Sequence, residues 1–182
     1  SPAIAVDQKR NNKNPRSTVG TLSEVYDYLK LLFLNLGKTY SPISGNLVKK
    51  DNAQDVLGFI SKNINKKYFI SVEKQSLKNE FSRDLETLLN KGFTRIINNG
   101  DFYTIESLLA KNITLTSYQV LIDRGIVSND ESFQFKIIEV CKEAFYEGSG
   151  KLVVNINKEK REFSNQFELD GIQFVEPTLN LF

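Results

Sequence analysis

Two arginines stand where side-chain chemistry is easiest to argue. Arg95 lies in Phe93-Thr-Arg-Ile-Ile and Arg124 ends Val120-Leu-Ile-Asp-Arg, both runs of strand-forming composition. A guanidinium on a sheet face offers a planar fork of donors that suits a partner's carboxylate. The same side chain can instead cover the sheet with its stem, and spacing alone does not choose. Period-two alternation groups Arg95 with Phe93 and Ile97, and Arg124 with Val120, Ile122 and Ile126. If the strands are neighbours in matching phase, both guanidiniums leave one face. A second set of charges, Lys9, Arg10, Lys13 and Arg16 against Asp7, either meets phosphate or is a solvated loop. Gln8, at the end of a short β-branched run, is by residue type alone a polar loop residue.

Other chemistries are limited by what the chain lacks. There is no histidine and one cysteine, Cys141, so neither a structural zinc site nor a disulfide framework can be built from its own side chains. The usual general base is missing, which leaves carboxylates, lysine and tyrosine for acid-base work. If the chain were a free-standing enzyme, Asp123 or Glu143 would be the carboxylates to inspect. No Gly-rich phosphate loop of either common pattern occurs. A net charge of +2 argues against a dedicated nucleic-acid binder. With 40% apolar and 25% charged residues, no membrane-length apolar run and no export signal, a soluble cytoplasmic chain is expected.

The elements that must position the arginines follow from periodicity. Residues 1–37 read as strand, polar loop and helix, with Leu22, Val25, Tyr26, Leu29, Leu32 and Phe33 at helical spacing, Thr21 or Ser23 as N-cap, and Gly37 as stop. A turn-rich connector, 39–45, marks a domain boundary. A helix capped by Asp51 or Asn52 is expected to bury Val56, Leu57, Phe59, Ile60 and Ile64, followed by a strand over 67–73 and a helix over 80–91. Asn98-Asn-Gly-Asp predicts a type I′ hairpin between 93–97 and 102–105. The segment 108–115 reads as an irregular crossover. Strand 118–127, helix 130–147, strand 152–156, a turn at 157–160, strand 161–167 and an extended segment 172–182 complete the chain. The fold class is α+β: a mixed, mostly antiparallel sheet with packed helices, plus the opening strand-loop-helix strip.

Several of these stretches resemble one family. Ala3-Ile-Ala-Val-Asp-Gln8-Lys, then Asn14-Pro-Arg-Ser-Thr-Val-Gly-Thr21 and the helix after it, closely resemble the UvrA family, the damage-scanning ATPases of bacterial nucleotide excision repair. Gly92-Phe-Thr-Arg-Ile and Val120-Leu-Ile-Asp-Arg resemble the arginine-bearing strands of the domain by which that family binds UvrB. The resemblance implies three parts: 1–45 in the first signature domain, 46–166 as the UvrB-interaction domain, and 167–182 returning to the signature domain. It implies Arg95 and Arg124 as UvrB contacts. It implies that Gln8 is the Q-loop glutamine serving ATP and magnesium in a full-length protein, and that Arg16 positions the loop and helix. Damaged DNA and homodimerisation are implied only for the full-length protein; for this stretch alone no catalysis, cofactor or membrane contact is expected. Most relatives carry Cys-Pro-x-Cys-Gly near 40–45 and a second cysteine pair near 167–171, together a zinc module. Here Ser41 and Ser44 replace the first pair and Glu168-Leu-Asp-Gly the second, and serine is a poor zinc ligand. Apolar packing of Tyr40, Ile43, Phe167, Leu169, Ile172 and Phe174 is expected to hold the junction instead. The other reading from residues and resemblance is a nucleic-acid-binding module of a repair or ribosome-associated ABC-type protein.

Overall fold

The computed structural model describes residues 25–157 and 159–178. The opening strand, Gln8, the basic loop, the N-cap of the first helix and the last four residues lie outside the described residues.

A six-stranded antiparallel sheet forms the frame, in the order β3-β2-β4-β1-β5-β6. Its strands are β1 (Lys67–Gln75), β2 (Arg95–Asn98), β3 (Asp101–Thr104), β4 (Ser117–Ile126), β5 (Lys151–Ile156) and β6 (Glu159–Ser164). The helices that pack on it are α2 (Ala53–Ile60), α3 (Phe81–Asn90), α4 (Ile105–Lys111) and α5 (Glu131–Glu147); α1 (Val25–Leu36) buries none of its residues. One core joins these helices to one sheet face. Val56 and Ile60 of α2, Phe81 and Leu85 of α3, Ile105 of α4 and Ile137 of α5 meet Ile70, Val72, Val120, Val154 and Ile96 in it. Long amphipathic helices and β-branched strands thus find each other in two layers.

Local chemistry sets the ends. Asn52, not Asp51, caps α2, forming a capping box with Asp55. Asp51 is used elsewhere: its carboxylate accepts from the Ser164 amide at 3.2 Å while its own amide donates to Ser164 at 2.7 Å, joining the start of α2 to the end of β6. Asp130 caps α5 through the Phe133 amide at 2.8 Å. The expected hairpin forms between β2 and β3, with Asn99 and Gly100 at φ 51° and 90° as a type I′ turn demands.

Two readings differ from expectation. Ile64, expected on the buried side of α2, lies past the end of that helix and is 49% exposed. Residues 108–115 are not an irregular crossover throughout, because α4 starts at Ile105, capped by the Thr104 hydroxyl, and ends on Asn112 in the left-handed region. Placing Ile105 in the preceding strand concealed the helix. Ile105, Leu108 and Leu109 carry the helical spacing that marks it.

The two segments flanking this core meet. The Ser41 and Ser44 hydroxyls both donate to Asp170, the second at 2.5 Å, and Tyr40 bridges to Leu47. A small hairpin of β7 (Glu168–Leu169) and β8 (Ile172–Gln173) carries Asp170 at its tip, and Phe167 packs edge-on against Phe174. The junction therefore uses hydrogen bonds at Asp170 as well as the expected Phe167–Phe174 contact, while Tyr40 and Ile43 stay exposed.

Candidate protein-interaction surface

No helix of the core covers the second face of the sheet, and register shows which side chains occupy it. Glu73 lies opposite Gln119, Ser71 opposite Leu121 and Val153, and Phe69 opposite Arg124 and Asn155. Gln119 also faces Ile97 of β2, which places Arg95, two residues earlier, on the same side. Ile97, Leu121 and Val153 are buried there yet belong to no part of the helix-side core.

Simple alternation would have put Arg124 with Val120 on the helix side. A β-bulge corrects this: Ile70 pairs with Asp123 and Ser71 with Leu121, so Ile122 is an extra residue in β4. Past the bulge the phase is inverted. Asp123 turns to the helices, where it accepts from the Tyr68 hydroxyl at 2.6 Å and pairs with Lys136 of α5 at 2.8 Å. Burial and the neighbouring Asp123 charge push the Tyr68 phenol far above its ordinary range, so it remains a donor. Gly125 lies against the Tyr68 ring, where an added Cβ would come within 3.2 Å of ring atoms. Arg124 is thereby turned outward beside Phe69. It keeps Ile126 as a same-face neighbour but parts from Val120 and Ile122, contrary to the period-two grouping; Phe93 likewise leaves Arg95 and enters the core.

Arg95 and Arg124 line one hollow of about 320 Å³ beside the β4 bulge, with Leu121 of the open face and Phe93, Ile122 and Asp123 of the helix side. Neither has a carboxylate partner among the described residues. On the helix side a nearly enclosed carboxylate is matched: Glu147, its side chain only 8% exposed, pairs with Lys91 at 2.6 Å and Lys74 at 3.4 Å. Burial of Glu147 opposes its ionisation, but the two ammonium groups outweigh that and hold its pKa below the ordinary value. On the far half of the open face, Glu73 meets Lys160 at 3.3 Å and accepts from Gln119 at 3.1 Å.

The carboxylates considered for catalysis do not converge: Asp123 is committed to Tyr68 and Lys136, and Glu143 is exposed on α5. Among the described residues no group of three or more histidine, cysteine, aspartate or glutamate side chains could hold a metal. The Ser41-Ser44-Asp170 cluster does not fit zinc, since two neutral hydroxyls already donate to its one carboxylate. Those bonds hold the Asp170 pKa below the ordinary carboxylate value. Among the described residues, no helix is long and apolar enough to cross a membrane.

Sequence reasoning named both arginines, and Asp123 only as a carboxylate for catalysis, but did not single out Phe69, Phe102 or Tyr68. The uninterrupted run Tyr68-Phe-Ile is the available signal, because a strand apolar at successive positions must serve both faces.

A sheet with helices on one side and unpaired guanidiniums on the other has the make-up of an interaction module. The UvrA interaction domain model matches residues 59–158, and the chain belongs to that family. It is 32% identical over 186 residues to the UvrABC system protein A of Malacoplasma penetrans, covering 98% of this chain and 19% of that protein. It is 33% identical over 172 residues to that of Rickettsia typhi, covering 92% and 18%, and 30% identical over 173 residues to that of Borreliella burgdorferi, again covering 92% and 18%. The chain thus spans about a fifth of the length of the curated relatives it matches.

Proposed function

We propose that this domain binds UvrB in the UvrABC repair system, through the open sheet face at Arg95 and Arg124. The observation that carries the proposal is the placement of two guanidiniums, without ion-pair partners among the described residues, around one hollow beside the β4 bulge. Unpaired arginines beside apolar side chains have the composition of an interface hot spot. Carboxylates of UvrB are the complementary groups. The domain's part in repair is assembly. ATP and magnesium, with Gln8 at the nucleotide, damaged DNA and dimer formation are assigned to a full-length protein and not to this surface.

Calorimetry of the 182-residue chain with purified UvrB tests this. Arg95→Ala and Arg124→Ala should each weaken binding at least about tenfold, about 1.4 kcal/mol, with unchanged thermal stability. Glutamate at either position should do worse through like-charge repulsion. Unchanged affinity in both alanine variants would reduce these arginines to sheet cover.

A further inference from the structure

The open face has a second feature that the arginines alone do not explain. Phe102 is on edge strand β3, separated from β1 by both β2 and β4, yet its ring meets that of Phe69 edge-on with centroids 5.5 Å apart. The β2–β3 hairpin must therefore curl over the face. Beneath it a cleft of about 580 Å³ is bounded by Lys67, Phe69, Phe102, Arg124, Ile126 and Asn157. Two of its apolar walls are open to solvent, Phe102 at 47% and Ile126 at 59% exposure. Its charges are all positive: Lys67 and Arg124 have no ion pair among the described residues, and no carboxylate lines the cleft.

Such an arrangement is costly to leave in water and specific in what it accepts. Exposed aromatic and aliphatic surface gains from a partner's apolar side chain. The two cations select a carboxylate beside that side chain. We propose that this cleft, resting on the reading that the face binds UvrB, is the apolar anchor of the interface and receives one large apolar side chain of the partner, flanked by an acidic residue that pairs with Arg124. A nucleic-acid strand fits less well. The Phe102 and Phe69 rings meet edge to face instead of forming a parallel stacking platform.

The two components separate in one experiment, titration of UvrB into the 182-residue chain at low and moderate salt. Phe102→Ala and Ile126→Ser should each weaken binding about fivefold or more while leaving its salt dependence unchanged. Arg124→Ala should weaken binding and flatten the salt dependence. The Phe102→Ala, Arg124→Ala double variant should lose less than the product of the single losses, because both serve one contact. Affinities within about twofold of the unaltered chain for both apolar variants, with Arg124→Ala still weakened, would overturn the cleft and leave the arginine reading standing. No UvrB binding by the unaltered chain would overturn both. A single-stranded oligonucleotide that displaces UvrB with a steep salt dependence would replace the protein occupant by a nucleic acid. Ile126 is exposed and needs no core repacking, so the test survives if Phe102→Ala is poorly folded.

Discussion

The two faces of one sheet solve opposite problems with neighbouring residues. On the helix side Ile70 and Val72 are fully buried and the Asp123 and Glu147 carboxylates are paired with lysines. On the open side Phe69 and Phe102 form a cleft with unpaired cations. The first face carries stability, since removing apolar area from water favours the folded state, while the lysines spare the two carboxylates an uncompensated burial. The second retains unmet interactions, which a partner can satisfy. Alternation alone puts Asp123 and Arg124, adjacent in sequence, on opposite faces; a single inserted residue, Ile122, decides which of them faces the helices.

The largest test of that division swaps attention between Ile70 and Phe69. Ile70→Ala should destabilise the domain by about 2–5 kcal/mol in urea unfolding, the range for a truncated core aliphatic, and leave UvrB affinity of the folded protein nearly unchanged. Phe69→Ala should cost less stability and more affinity. Equal stability losses would mean that the open face is also core, and would erase the contrast.

Next in size is the anchor of the bulge. Asp123→Ala strands the buried Tyr68 hydroxyl, an expected loss of about 1–3 kcal/mol. It should also weaken UvrB binding, although Asp123 faces away from the proposed partner surface, because Arg124 loses its fixed direction. A stability loss with intact binding would show that β4 keeps its phase without this network.

A smaller effect distinguishes the faces by pH. The Glu147 pKa is lowered in the folded state from its ordinary 4.5. Its contribution is therefore present above about pH 4.5 and lost as pH falls through the lower folded value. Both lysines are partly exposed, so the contribution should stay below about 1 kcal/mol. Glu147→Gln should lower the melting temperature at pH 7 and bring it close to that of the unaltered chain near pH 3. A difference that grows on acidification would reverse the assignment.

The smallest perturbation is a chemical probe of the closed side. Burial pushes the Cys141 thiol up to about 12, and thiolate is the reactive form. An aromatic disulfide reagent at pH 8 should leave Cys141 unmodified in the folded chain and react promptly in urea. Fast labelling of the native protein would mean that α5 opens from the sheet far more readily than its packing implies.

Much of this arrangement could be read from the residues. Helix spacing in 131–147 and 81–90, the Asn-Gly turn and the β-branched runs locate most elements, because each depends on contacts within a few residues. The serines at 41 and 44 and the lack of histidine set aside zinc for the same reason: ligand chemistry is a property of the side chain. The meeting of Ser41 and Ser44 with Asp170, some 130 positions away, was carried by the family resemblance and not by local pattern.

The sequence by itself determined most of the strands and helices, though not α4, which side chains can accept or donate charge, and that two arginines sit in strand-forming runs. Tertiary structure decided where those arginines point. Alternation holds only while both strands advance in step, and the register slip between Ile70 and Ser71 breaks it through a pairing of β4 with a strand some 50 residues earlier. The cleft under Phe102 has the same origin. It exists only because distant strands pair in one order and the edge hairpin curls back over the sheet, a consequence of long-range pairing and twist that no local window of sequence encodes.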